Sequence, residues 1–183
     1  MRYTIVYPAL VTVRFLDQSW DMPTLRPATQ SDLPEINAIY NHYVLHSTCT
    51  YQTVPSTAEE REEWLAHHGR MHPVIVAEEK GQLIGWSSLS KFHPRQAYEN
   101  SVEDSIYLHH DWQGKGIGSL LLADLIERAR ALGHHTMLGG IDAGQTGSIA
   151  LHTKFGFVEC ALFKQVGFKQ DRWLDVIWMQ KML

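Results

Sequence analysis

Two cysteines, Cys49 and Cys160, are all that this 183-residue chain contains. A disulfide framework needs more, and a reducing cytoplasm is the expected compartment. Charge of one sign is also lacking. Sixteen Lys and Arg stand against twenty Asp and Glu, a net charge of −4, with no long run of either sign. Nucleic acid is therefore not an expected partner, because a phosphate backbone needs a basic face. No apolar run approaches the ~20 residues that span a bilayer, so no membrane segment is expected. Cysteine and histidine at zinc-type spacing are missing as well. His67-His68, His109-His110 and His134-His135 are adjacent pairs, and neighbours along a strand point to opposite faces. No metal is expected. Internal repeats and low-complexity linkers are absent too, which leaves one domain with a substantial core.

What the chain does have is concentrated between Val102 and Gly133: a strand, a glycine-bearing turn and a long amphipathic helix. The turn reads Gln113-Gly114-Lys115-Gly116-Ile117-Gly118. Glycines there allow positive φ and a close backbone approach to a ligand. The free N–H groups and the dipole at the start of the following helix favour negative charge, so a pyrophosphate suits the gap. Ile117, Leu120, Leu121, Leu125, Ala129 and Leu132 recur at helical spacing and form the predicted buried stripe. Two other phosphate loops do not fit. A Walker A loop closes on Gly-Lys-Ser/Thr, whereas Gly116 follows Lys115 here. A dinucleotide fingerprint reads Gly-x-Gly-x-x-Gly, whereas Gly114, Gly116 and Gly118 are evenly spaced.

Residues 1–21 read as an extension, an added strand or a partner contact, ahead of a single domain over 22–183. A signal peptide is poorly supported: Arg2 is a thin charged start, and no small-residue cleavage site follows. Thr24 to Pro27 reads as a first strand, and Ser31 as the cap of a helix reaching about His46. Ser56 with Glu59 makes a capping-box signal for a second helix through Arg70. Val74 starts a strand, Gly81 marks a turn, and Leu83 to Leu89 returns as the other arm of a hairpin. Strands at Val102–Leu108 and Thr136–Ile141 flank the long helix, and Thr146–Phe155 forms a short one. Phe157–Val166 and Trp173–Lys181 then make a last strand pair joined through Gly167. The sum is a mixed α/β sheet with helices on its faces.

A carboxylate can act as a general base when it lies within hydrogen-bond or one-water reach of a group that must lose a proton. Glu103 opens the strand that leads to the glycine turn, where it can face the reacting end of a ligand whose pyrophosphate sits on Gln113–Gly118.

The Gln-x-x-Gly-x-Gly pattern at Gln113, Gly116 and Gly118 resembles the acetyl-CoA loop of the GNAT N-acetyltransferase superfamily. Further matches follow in order. Arg95-Gln-Ala-Tyr98 through Val102-Glu103 resembles the Arg-x-Ala-Tyr…Val-Glu segment of phosphinothricin-type acetyltransferases. Tyr40-Asn-His-Tyr43, Ser47-Thr48, Tyr51 and Pro55 resemble the same family's helix and loop. Ser148-Ile-Ala-Leu-His152, Phe155-Gly-Phe157, Gly167-Phe-Lys169 and Trp173-Leu-Asp175 resemble its C-terminal half. The similarity runs from Met22 to Leu183.

This resemblance implies the GNAT fold, a central mixed sheet of about seven strands flanked by about four helices. It implies a cytoplasmic, homodimeric N-acetyltransferase with acetyl-CoA as acetyl donor. The acceptor would be the α-amine of a small amino-acid-like compound of phosphinothricin, methionine sulfoximine or methionine sulfone type. Transfer would be direct, in a ternary complex. Glu103 matches the family's catalytic carboxylate, the general base acting through water. His152 matches a position near the CoA sulfur, the proton donor to the thiolate, although a histidine near pKa ~6.5 can serve either way. The backbone of Ile106, Tyr107 and Leu108 would pair with the pantetheine arm. Gln113, Gly114, Lys115, Gly116, Ile117 and Gly118, with Gln145 and Ser148, would hold the rest of the cofactor. Gln145 departs from the asparagine usual there, a longer arm with the same amide. Tyr51, Lys91, Arg95 and Tyr98 resemble acceptor-site positions, the basic pair for acidic oxygens and the rings for a methylene chain. Two alternatives stand beside this reading. One is a GNAT enzyme on another amine, a peptide N-terminus or a polyamine. The other is a non-catalytic acyl-CoA-binding module, which would not need Glu103 and His152 together.

Overall fold

The computed structural model describes residues 22–183, so the expected extension over 1–21 lies outside the described residues. Strands β1 (Thr24–Pro27), β2 (Val74–Glu79), β3 (Gln82–Lys91), β4 (Ser101–Leu108), β5 (Thr136–Asp142), β6 (Val158–Lys169) and β7 (Arg172–Met182) form one sheet. Its order is β1-β2-β3-β4-β5-β7-β6. Among the described residues four helices accompany it: α1 (Leu33–His46), α2 (Ala58–Ala66), α3 (Ile117–Ala131) and α4 (Thr146–Lys154). This is the expected mixed α/β architecture.

Helices cover both faces of the sheet. Against one face, α3 packs Leu121, Leu122, Leu125, Ile126 and Ala129 onto β3, β4 and β5, with α4 and Phe157 closing the edge. The predicted stripe is thus displaced: Leu122 and Ile126 are buried, while Leu120 and Leu132 stay half-exposed. On the other face Ile36 and Ile39 of α1, with Trp64 and Leu65 of α2, meet Val74, Val76, Leu83 and Trp86. Among the described residues no helix is long and apolar enough to cross a membrane.

Three local expectations shift. The first helix is entered through Thr29 and Asp32, not Ser31: Asp32 accepts from the Thr29 N–H at 2.7 Å and grips Arg26 through both oxygens. The second capping box is Thr57 with Glu60, one residue beyond Ser56 and Glu59. Ser56 is already committed, its N–H to Asn41 Oδ1 at 2.8 Å and its carbonyl to the amides of Asn37 and Asn41. The last hairpin turns at Gln170 and Asp171, which adopt φ of 51° and 57°. Gly167 lies inside β6, where a Cβ would stand 3.2 Å from the Tyr51 ring.

Every neighbouring strand pair is antiparallel except β4 with β5, whose crossover is α3. That parallel pair joins only Ser101, Val102 and Glu103 to Thr136, Met137 and Leu138. Beyond it, Asp104–Leu108 and Gly139–Asp142 continue without pairing to each other. The sheet opens into a wedge there.

Candidate active site

The wedge begins at Glu103, and its back wall is built from the next residue. Strand alternation sends Glu103 to the α1–α2 face and Asp104 to the α3–α4 face. Asp104 is buried and its Oδ2 lies 3.0 Å from His152 Nε2. His152, 4% exposed, also places Nδ1 at 2.8 Å from the Ser148 carbonyl oxygen. A carbonyl oxygen and a carboxylate both accept, so the ring donates at each nitrogen and is held as a cation. Desolvation is the largest single influence on this ring and pulls its pKa down. The hydrogen bond and charge of Asp104, with the Ser148 carbonyl, outweigh it and raise the pKa. Gly139 makes room for the pair: a Cβ there would sit 3.1 Å from His152 Nε2 and 3.2 Å from Asp104 Oδ1. Asp104 Oδ1 is itself buried and has no partner among the described residues.

Glu103 is half-buried and lies opposite Ser90 of β3. Burial, then the neighbouring Asp104 charge, push its pKa up to about 7. A carboxyl poised there gains and loses a proton at working pH, which is what a general base requires.

The glycine turn stands at the open end of the wedge. Gly114 and Gly116 take φ of 72° and 84°, a conformation that costs other residues strain, and Gly116 precedes the first turn of α3. Gly118 allows α4 to approach, because a Cβ there would lie 3.3 Å from Leu151 Cδ2. Gln113 serves as a strut: its Nε2 donates to Tyr43 Oη at 2.7 Å, and Tyr43 donates to the Leu108 carbonyl at 2.6 Å. The end of β4 is thereby fixed to α1. The N–H groups at the start of α3, the glycine cradle, the unpaired edge of β4 and the orphaned Asp104 Oδ1 together fit an acyl-CoA: pyrophosphate at the helix, amide-bearing arm along the strand.

On the Glu103 side a cleft of about 320 Å³ runs between α2 and the β3–β4 hairpin, lined by Arg61, Tyr40, Trp64, Trp86, Tyr107 and a row of serines. The loop after α1 borders the wedge. Thr48 donates to Asp142, Gln145 Nε2 donates to Thr48 Oγ1 at 3.3 Å, and Lys169 Nζ donates to the Thr50 carbonyl at 2.8 Å.

The sequence pattern of the acetyltransferase (GNAT) family matches residues 36–157. This chain belongs to the GNAT acetyltransferase family. An L-methionine sulfoximine/L-methionine sulfone acetyltransferase from Pseudomonas paraeruginosa is 39% identical to it, over 86% of this chain and 92% of that protein. A solved ribosomal-protein-alanine N-acetyltransferase from Brucella melitensis superposes with a TM-score of 0.85 at 43% identity, covering 87% of this chain and 99% of that one. A phosphinothricin acetyltransferase from Sinorhizobium meliloti, solved in complex with acetyl-CoA, gives 0.85 at 41% identity over 88% and 89%. The protein is thus an N-acetyltransferase of a family that uses acetyl-CoA.

In this acetyltransferase, β4 runs on from Glu103 through Ile106, Tyr107 and Leu108 along the wedge, His152 is held behind it by Asp104 and the Ser148 carbonyl, and the Gln113–Gly118 turn follows the end of the strand. Gln145 spends its amide on Thr48 and Ser47 and so anchors the bordering loop. Tyr51 packs on Gly167, its hydroxyl pushed up to about 12 by burial and by the Asp142 and Cys49 charges. Tyr98 reaches the rim through rings: it contacts Phe92, which meets Trp178, which covers Gly140. Arg95 is exposed, and Lys91 pairs with Val102 on the face opposite Glu103, so the structure does not bring these two to the cleft. Arg61, Trp64 and Trp86 were missed by sequence reasoning. A signal existed: α2 reads Ala-Glu-Glu-Arg-Glu-Glu-Trp-Leu-Ala and has no aliphatic stripe, so Arg61 and Trp64, three apart, had to supply its inner face. The alternation argument reaches none of the three histidine pairs, because His67-His68 follow α2, His109-His110 follow the end of β4 and His134-His135 precede β5. His109, His110 and Asp111 bring ligand-type atoms within 4.8 Å of one another at the surface.

Proposed function

We propose that this GNAT acetyltransferase transfers the acetyl group of acetyl-CoA directly, in a ternary complex, to the α-amine of a small amino-acid-like acceptor of methionine sulfoximine, methionine sulfone or phosphinothricin type. The observation that carries the reading is a carboxyl with pKa about 7 at the point where the sheet opens, between a glycine cradle and a cleft sized for a small amino acid. Acetyl-CoA supplies the acetyl group as a thioester. Glu103 takes the ammonium proton through water and leaves a neutral amine. Ile106–Leu108 hold the arm at their unpaired edge, and Gly114–Gly118 hold the pyrophosphate. His152 keeps the proton that the departing thiolate collects, delivered when one ring nitrogen releases Asp104 or Ser148. Tyr51 and Tyr98 border the acceptor.

Thiol release from acetyl-CoA tests the reading on methionine sulfone, methionine sulfoximine, phosphinothricin, spermidine and a peptide with N-terminal alanine. Saturable turnover on the first three is expected. Turnover confined to the peptide would place the protein with the ribosomal-protein enzyme it also resembles, and turnover confined to spermidine would discard the acceptor assignment. Acetyl-CoA binding with no turnover on any acceptor would make it a non-catalytic module.

The enzyme works in the cytoplasm as a homodimer. Among the described residues strand β6 is a sheet edge with Leu162, Phe163, Val166 and Phe168 exposed, and Trp173 is exposed beside them on β7. An exposed apolar edge is an aggregation hazard unless covered, and a two-fold partner covers it with the same patch. Light scattering on the eluting protein is expected to give a dimer mass, and Phe163→Asp with Val166→Asp a monomer. A wild-type monomer would refute the dimer.

A further inference from the structure

The cleft beside Glu103 is walled by a buried cation that has no counter-charge and, among the described residues, by a buried N–H that has no acceptor. Arg61 is 4% exposed, with its guanidinium carbon 4.4 Å from the Tyr40 ring centre and 4.8 Å from that of Trp64. Its protein partners are neutral: Nε donates to Asn37 Oδ1 at 3.1 Å and Nη2 to Ser56 Oγ at 3.3 Å. Among the described residues no carboxylate lies within ion-pair distance of it. Glu60, the acid that also lines the cleft, is turned back to accept from the Thr57 N–H at 3.0 Å. The other partly buried arginines are treated differently, Arg26 being paired with Asp32 and Glu78, and Arg128 with Asp124. The unpartnered N–H is that of Trp86, 2% exposed, whose buried indole Nε1 has no partner among the described residues. Burying a cation without a counter-charge and an N–H without an acceptor is unfavourable unless a ligand completes them.

We propose that Arg61, with Trp86, binds the distal oxygens of the acceptor, the sulfone, sulfoximine or phosphinate end that lies across the carbon chain from the amine. This rests on the function proposed above and assigns its specificity. Ser90 pairs with Glu103, Ser88 with Ser105, and Trp86 with Tyr107. The donors therefore stand about four residues, roughly 13 Å, along the strands from the base, too far to read a group bonded to the same carbon as the amine. Between them, Ser88, Ser90 and Ser105 line the path, and Trp86 and Tyr107 form part of its wall. A guanidinium presents two parallel N–H groups, the geometry that two oxygens on one sulfur or phosphorus accept.

The test compares L-methionine sulfone with L-methionine, the same chain without the oxygens, on the full-length enzyme. Arg61→Gln should raise KM for the sulfone by about 10- to 100-fold and leave KM for methionine and acetyl-CoA unchanged. The preference for the sulfone then collapses. Trp86→Phe, which keeps a ring and removes the N–H, should weaken the sulfone selectively and covers the case in which R61Q does not fold. Equal losses on both acceptors, or an unchanged sulfone KM, would overturn the proposal. Calorimetric binding of phosphinothricin to wild type and R61Q, in the presence of CoA, separates the two readings. Binding that depends on Arg61 without turnover overturns the reaction and keeps the subsite. Turnover that ignores R61Q overturns the subsite and keeps the reaction.

Discussion

Glu103→Gln is expected to lower kcat by about 10²- to 10⁴-fold while acetyl-CoA binds as it does to the wild type. The amide keeps the size and polarity of the side chain and removes only its ability to take a proton. The glycine cradle and the edge of β4 do not involve the Glu103 side chain, so donor affinity has no reason to change. The pH profile carries the sharper signature. Burial and the Asp104 charge put the Glu103 carboxyl at about 7. It is a base only when deprotonated, so wild-type kcat/KM should climb as pH rises through 7. The His152 proton must be retained at the same time, so activity should fall again at higher pH, where that raised pKa is crossed. Glu103→Gln should flatten the acidic limb and leave the alkaline one. Asp104→Asn should move the acidic limb to lower pH, because one of the two influences that raise Glu103 is gone. An acidic limb that persists unchanged in Glu103→Gln would mean that another group is the base.

Asp104→Ala is expected to be the most damaging single change to stability, about 3–5 kcal/mol at pH below ~6. For a domain of this size that corresponds to a fall in melting temperature of roughly 10 °C or more. The cause is the buried imidazolium. In the wild type the folded pKa of His152 lies above its unfolded value near ~6.5. The pair's contribution to stability is therefore fully present below ~6.5 and is lost as pH rises through the folded pKa. Without Asp104, desolvation is opposed only by the Ser148 carbonyl, and the folded pKa of His152 falls. The cost of keeping the ring charged inside then grows as pH falls. Denaturation at pH 5.5 and at pH 8.5 should show a deficit that shrinks toward alkaline pH. Equal deficits at both would leave only a cavity as the cause and remove the ion pair from the account.

Much of this protein is local chemistry, and that part was legible in the chain. Gly114 and Gly116 announce the cradle because positive φ is a property of one residue. Helix α3 announces itself through its period and closes near Gly133. The mixed sheet, its final hairpin and the acetyltransferase family follow from motifs that keep their order. Competition between neighbours blurred the edges. Ser56 looked like a cap until Asn41, fifteen residues away, claimed its N–H. Gly167 looked like a turn until the Tyr51 ring claimed the space of its missing Cβ.

The working chemistry was decided by tertiary structure. Glu103 and Asp104 are chain neighbours, yet alternation sends one to the α1–α2 face and the other to a partner 48 positions away on α4. Arg61 is one charge in an acidic helix until packing against Tyr40, Trp64 and the sheet removes it from water. The sequence determined which groups the protein owns and which short elements carry them. Folding determined which of those groups lie in low dielectric and beside which charges. A pKa or an anion-binding site arises from that second choice, because desolvation and Coulomb energy depend on distance in space and not along the chain.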